Sequence, residues 1–272
     1  MRRFPPERIV CLTEETTETL YLLSEENRIV GVSGYAVRPP RVRKEKPRVS
    51  AFISADVPKI LALEPDLVLT FSDLQADIVR DLVRAGIAVH AFNHRDVAGI
   101  LAMVRTLGAL VGCPERADAL VLDLERGLNA ARQAAAALPG RPRVYFEEWN
   151  EPMICGIRWV SELVEIAGGV DVFAERSRAP DARGRFVTPE EVIAAAPDVI
   201  VGSWCGKRFV PAQVAARPGF DALPAVQAGA LHEIKSPIIL QPGPAALTEG
   251  LAALRRIIEG AARSETATRW SA

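Results

Sequence analysis

Two stretches of this chain, 132 positions apart, spell the same structural unit. The first is Asp56-Val-Pro-Lys-Ile-Leu-Ala-Leu-Glu-Pro65-Asp66-Leu-Val-Leu69 and the second is Thr188-Pro-Glu-Glu-Val-Ile-Ala-Ala-Ala-Pro197-Asp198-Val-Ile-Val201. Each has a helix-capping residue, a short apolar helix, a Pro-Asp turn and a β-rich run. A weaker echo joins Arg8-Ile-Val10 to Arg143-Val-Tyr145. A unit that recurs once at this spacing predicts two similar α/β lobes, and two lobes make a cleft of the kind that holds small molecules.

The remaining pattern supports that division. Apolar runs at 8–12, 29–33, 67–71 and 88–92 alternate with helical spacing at 14–23, 56–64 and 74–85. Such βαβ alternation predicts a parallel sheet. A helix over about 96–110, an interruption at Gly112-Cys-Pro114 and a helix over about 115–138 then separate the repeats. At 1.5 Å per residue the second helix is roughly 36 Å long. It lacks the Gly and Ser of a flexible linker and predicts a stiff strut. The predicted domains are 1–95, the strut 96–140, and 141–272, with a frayed tail after Gly260.

The 272 residues carry 33 basic and 34 acidic side chains, a formal net charge of -1. No basic run interleaved with aromatics marks a nucleic-acid surface. The cluster Arg38–Arg48 is short, holds three prolines and reads first as a solvated loop, then as an anion contact. No run is long enough to span a bilayer. No apolar leader follows Met1-Arg-Arg-Phe-Pro, so a cytosolic location is expected, or a periplasmic one if the N-terminus was trimmed. Four dispersed cysteines, Cys11, Cys113, Cys155 and Cys205, fit a reducing compartment.

In open parallel sheets, ligands bind beyond the carboxyl ends of the strands. The segments expected there are Thr13–Thr16, Phe71–Asp73, Glu147–Asn150, Ser203–Arg208 and Gln241–Pro244. Two of four tryptophans, Trp149 and Trp204, fall at predicted strand ends, where flat rings suit either a large apolar ligand or the underside of a loop. Glu14-Glu15 and Glu147-Glu148 read as acid–base pairs, ligand contacts or, for the first pair, ordinary helix N-terminal acids. Arg158 suits a ligand carboxylate or phosphate, or a bridge to a nearby glutamate. Cys205 suits a nucleophile or a soft metal ligand, but no histidine stands at metal-ligand spacing from a cysteine. Neither a Gly-x-Ser-x-Gly elbow nor a phosphate-binding Gly-rich loop is present.

Arg8-Ile-Val-Cys-Leu, Thr17-Glu-Thr-Leu, Arg28-Ile-Val-Gly-Val-Ser, Pro39-Pro40 and Ile60-Leu-Ala-Leu-Glu-Pro-Asp-Leu-Val-Leu resemble the first lobe of the cobalamin and iron-chelate substrate-binding proteins of ABC importers. Ser161-Glu-Leu-Val-Glu-Ile-Ala-Gly-Gly-Val-Asp-Val-Phe resembles their second lobe. The resemblance implies an α/β fold of two Rossmann-like lobes with parallel sheets, joined by one long helix. It also implies a non-catalytic binder of a cobalamin-like corrinoid, with a ferric siderophore or haem as the alternative. No cofactor is required; a bound cobalamin or other metal chelate would be the ligand itself, and no direct metal site is expected.

By position, Phe52 and Phe71 resemble aromatic cleft residues of that family, Tyr35 and Arg38 lie in a loop facing the cleft, and Trp204 falls at the edge of the second lobe. The full set of expected ligand contacts is Glu15, Tyr35, Arg38, Phe52, Phe71, Ser72, Glu148, Trp149, Arg158, Trp204, Cys205, Lys207 and Gln241. Members that dock on a permease often carry a glutamate in both repeated helices. Here Glu190 stands in the second copy and Pro58 in the first, which weighs against docking and toward a binder retained in the cytosol. An enzyme derived from this fold, with a cleft glutamate as base and Cys205 as nucleophile, is the reading of a different class.

Overall fold

The computed structural model describes residues 4–270, with side chains through Ser264. Met1, on which the expectation about the chain start rests, and the last two residues lie outside the described residues. The chain divides into two compact units: 1–94 with 98–124, and 95–97 with 125–272.

The first unit holds strands β1 (Ile9–Cys11), β2 (Ile29–Ser33), β3 (Arg48–Ser50), β4 (Leu67–Phe71) and β5 (Val89–Phe92). They form one sheet in the order β3-β2-β1-β4-β5, every pairing parallel. β1 and β4 are buried along their whole length, as expected for a parallel sheet covered on both faces. Its helices are α1 (Glu14–Leu22), α2 (Val42–Glu45), α3 (Val57–Ala62), α4 (Ala76–Arg84) and α5 (Val97–Leu110), the last belonging to this unit from Ala98 onward. Val10, Leu12, Ile60, Val68 and Leu82 make its core. Two elements differ from expectation. β3 and α2 lie where the prolines predict a loop, because Val42 and Val49 are buried anchors within an otherwise charged run.

Helix α6 (Pro114–Ala136) begins in the first unit and continues into the second, which takes over at Glu125. The second unit holds β6 (Arg143–Asn150), β7 (Met153–Cys155), β8 (Val170–Asp171), β9 (Val199–Gly202) and β10 (Leu231–Glu233). The path is β10-β9-β6-β7, with β8 also pairing β6. The sheet is parallel except for β7, which runs antiparallel to β6. Its helices are α7 (Arg158–Ile166), α8 (Pro189–Ala195), α9 (Pro211–Ala215), α10 (Pro224–Gln227), α11 (Ser236–Ile239) and α12 (Leu251–Trp270). A π-helical turn over Ala246–Gly250 leads into α12. α12 continues to Trp270, past the Gly260 at which fraying is expected. Tyr145, Ile200, Trp204, Phe209 and Phe220 form the core.

The repeat is visible in bond detail. Asp56 accepts the Lys59 N–H at 3.0 Å at the start of α3, and Thr188 accepts the Glu191 N–H at 3.3 Å at the start of α8. Glu191 returns the bond to the Thr188 N–H at 2.8 Å, completing a capping box. Among the described residues no helix is long and apolar enough to cross a membrane.

Candidate ligand site

In the first unit, the carboxyl ends of β1, β2, β3 and β4 lead into the segments that carry six of the thirteen expected contacts: Glu15, Tyr35, Arg38, Phe52, Phe71 and Ser72. Gln75 ties these segments together. Its side chain accepts the Phe71 N–H at 3.1 Å and donates to the carbonyls of Leu12 (3.2 Å) and Phe52 (2.8 Å). Nothing in the spacing of the sequence singles Gln75 out; a lone glutamine in a turn carries no periodic signal.

Held this way, Phe52 is half-buried and Phe71 buried, edge-on to His94 at 5.2 Å between ring centroids. Ser72 adopts φ 67°, ψ 166°, a region in which a side chain is strained, and its hydroxyl accepts the Leu74 N–H at 3.2 Å. Tyr35, Ile53 and Leu74 then project into solvent with half or more of their surface exposed. These three apolar side chains follow β2, β3 and β4 in turn, so the carboxyl rim of this sheet is apolar and open.

At the start of α1, which follows the carboxyl end of β1, lie two buried carboxyls. Burial pushes Glu15 up to about 8 and Glu14 up to about 7. Thr13 donates to Glu15 Oε1, while Glu14 Oε2 and Glu15 Oε2 have no hydrogen-bond partner among the described residues. An acid held near neutral protonation in this way is a donor as well as an acceptor. Arg38 is engaged with Glu18 at 2.8 Å.

In the second unit the corresponding strand ends are built differently. Glu147–Asn150, expected as a loop, belong to β6 and pair with β7. The register shifts between Glu147 and Trp149, so Glu148 is an extra, bulged residue and the regular alternation of faces is broken there. Glu147 is fully buried and completely partnered: Arg217 grips both its oxygens (2.5 and 2.9 Å), Tyr145 donates at 2.9 Å and the Trp204 indole at 2.9 Å. Glu148, at the bulge, pairs with the buried Arg185, which also donates to the Cys155 carbonyl at 2.7 Å. Four donors to one carboxylate fix Glu147 as a structural acid and leave it no oxygen for general-base work.

Trp204 is buried against Phe209, with ring centroids 5.0 Å apart. Phe209 reaches that place because Gly202 ends β9. A Cβ there would stand 1.8 Å from the Phe209 ring. The loop 203–208 thus folds over a glycine and leaves Cys205 and Lys207 exposed. Lys207 Nζ lies over the rings of Trp149 (4.0 Å) and Trp204 (5.4 Å). The Trp149 indole donates to the Glu151 carbonyl at 2.8 Å. Arg158 bridges Glu162 at 3.0 Å and Asp96 at 3.2 Å, the second of the two roles open to it. Gln241 is half-buried, and its carbonyl accepts the Gly243 N–H at 2.8 Å. Among the described residues no three His, Cys, Asp or Glu side chains are grouped to hold a metal ion.

The family model described as periplasmic binding protein matches residues 9–238. A vitamin B12-binding protein of Vibrio cholerae is 28% identical over 206 residues, 74% of this chain and 71% of the relative. An uncharacterised ABC transporter substrate-binding lipoprotein of Bacillus subtilis is 26% identical over 260 residues, 93% of this chain and 80% of that protein. Among solved structures, the periplasmic heme-binding protein BhuT with two hemes superposes with a TM-score of 0.80 at 25% identity, covering 94% of this chain and 98% of that one.

Proposed function

This chain belongs to the periplasmic binding protein family, and we propose that within it the protein binds a cobalamin-like corrinoid. It is a small-molecule binding protein rather than an enzyme, as its relatives are. The observation that carries the corrinoid proposal is the open apolar rim of Tyr35, Ile53 and Leu74, with Phe52 behind it, at the carboxyl ends of one parallel sheet. A corrinoid presents a broad, largely apolar ring edge fringed with amides. The rim supplies apolar area, and Glu15 at the start of α1, whose carboxyl burial pushes up to about 8, supplies a donor for an amide oxygen. The V. cholerae relative, named for vitamin B12, supports the same choice.

One observation favours haem as a second reading. The Tyr35 ring is half exposed on this rim, and a tyrosine phenolate is an axial ligand for ferric haem. The solved heme-binding protein has the same fold.

The cytosolic expectation finds no support among these proteins, one named periplasmic and one a lipoprotein. Delivery of the ligand outside the cytoplasm to an ABC permease is therefore part of the proposal. Glu190, exposed at the second position of α8, is the contact offered by the second unit; Pro58 and Lys59 occupy the matching place on α3.

Titration with cyanocobalamin, hemin and a ferric catecholate, followed by visible absorbance and calorimetry, tests the choice. Saturable cyanocobalamin binding at micromolar or lower Kd, weakened in Phe52→Ala, is expected. Hemin binding with a phenolate-to-iron band that vanishes in Tyr35→Phe, and no cobalamin binding, overturns it.

A further inference from the structure

Beyond the carboxyl ends of β9 and β10, the second unit has an open concavity of about 520 Å³. Trp204 forms part of its wall, and Lys207, Arg208, Glu233 and Lys235 supply its charges. Three cations thus face one carboxylate, in a chain whose formal net charge is -1. The single carboxylate is already engaged, since Glu233 Oε1 accepts the Phe209 N–H at 3.0 Å.

Elsewhere in this unit several arginines are matched with acids. Arg158, Arg176, Arg185 and Arg217 all lie in ion pairs. Lys207, Arg208 and Lys235 form no ion pair among the described residues, although all three converge on one concavity. Lys207 is held instead by the faces of two indoles. A cation over a ring at an exposed site is held more weakly than one in a charge-assisted hydrogen bond to an anion, so an arriving anion would draw it away and uncover Trp149. Concentrated like charge in a concave wall also focuses the field on its interior.

We propose that this concavity is an anion subsite, which takes the phosphate or carboxylate of an otherwise apolar ligand and thereby selects ligands that bear one. The selection of ligand rests on the corrinoid proposal above; the anion site itself does not. In a cobalamin the group concerned is the phosphodiester of the nucleotide loop, which a cobinamide lacks. In haem it would be a carboxylate.

Two titrations test this on the full chain. The first adds inorganic pyrophosphate and follows tryptophan fluorescence, in the unaltered protein and in the variant Lys207→Gln/Lys235→Gln. Both lysines are exposed, and far-UV circular dichroism checks that the variant stays folded. A saturable response, weakened about tenfold or more in the variant and by added salt, is expected. No response, or one of equal affinity in both proteins, overturns the anion site.

The second titration compares cyanocobalamin with dicyanocobinamide, and hemin with its dimethyl ester. The acid-bearing member of a pair should bind more tightly, and the variant should lose more affinity for it than for its partner. Equal losses within the pair that binds overturn the selection. If neither corrinoid binds while the pyrophosphate response is lost in the variant, the corrinoid proposal fails and the anion site stands.

Discussion

The carboxylate of Asp198 accepts the backbone N–H of Arg143 at 2.7 Å, and Asp66 stands in the same relation to Arg8 at 3.0 Å. Each arginine then turns its guanidinium back onto the end of the repeated helix. Arg8 donates to the carbonyls of Leu63 and Glu64, and Arg143 to that of Ala195. The chain can present those carbonyls because Glu64 and Ala196 both take left-handed backbone, at φ 47° and 42°. One Arg–Asp device therefore closes helix onto strand in each unit.

Removing the carboxylate should destabilise either unit by a similar amount. Asp66→Ala and Asp198→Ala each forfeit a charge-assisted bond to backbone, expected to cost about 1–2 kcal/mol at these half-buried positions. Urea denaturation of the two variants beside the unaltered chain measures it. A loss in one unit and none in the other would show that the devices are not equivalent.

Glu147 and Arg217 make a stronger demand. Glu147 is buried, and Arg217, Tyr145 and Trp204 all donate to it. Arg217→Met strands that carboxylate without its counter-ion, at an expected cost of about 3–5 kcal/mol. The double variant Glu147→Gln/Arg217→Met should recover part of the loss, because no buried charge remains. Because the Trp204 indole bonds directly to Glu147, its fluorescence emission should shift in the single variant before global unfolding.

These two cases separate what is legible in the sequence from what is not. The Pro-Asp repeat, its caps and its strands are local, and each follows from a few neighbouring residues. The arginines at 8 and 143 are visible as an echo, though not their purpose. The Glu147–Arg217 pair joins residues 70 positions apart, and no spacing announces it. The same distance blindness hides Gln75. β7 is missed because Glu147–Asn150 is polar enough to resemble a loop, while its pairing depends on the turn to Met153. Arg208 lies in a segment already expected at a strand end, whereas Lys235 enters the candidate site only when β9 and β10 are placed side by side.

Ser72 offers a direct test of the rim. Its φ of 67° with ψ of 166° suits glycine and strains any other residue by roughly 1–3 kcal/mol. Ser72→Gly should therefore raise stability by about 1 kcal/mol, reduced by loss of the hydroxyl bond to Leu74. If the strained serine serves ligand contact, affinity for the ligand should fall in this more stable variant. Thermal melting and ligand titration on the same preparation read both effects, and a variant that is both more stable and equally avid would exclude such a role.

The buried acids of α1 make stability depend on pH in a direction opposite to that of ordinary paired carboxylates. Burial holds Glu15 at about 8 and Glu14 at about 7, whereas glutamate in the unfolded chain titrates near ~4.3. Between these limits the folded chain carries protons that the unfolded chain has lost. Stability from these groups is thus full below about pH 4, declines as the pH rises above that, and is lost by about pH 8. Glu15→Gln keeps a neutral side chain of the same shape at every pH. Its melting temperature should match that of the unaltered protein near pH 4 and exceed it increasingly toward pH 8. Parallel melting curves across that range, with a constant gap between the two proteins, would mean that Glu15 is ionised throughout and that the donor assigned to the ligand face must be sought elsewhere.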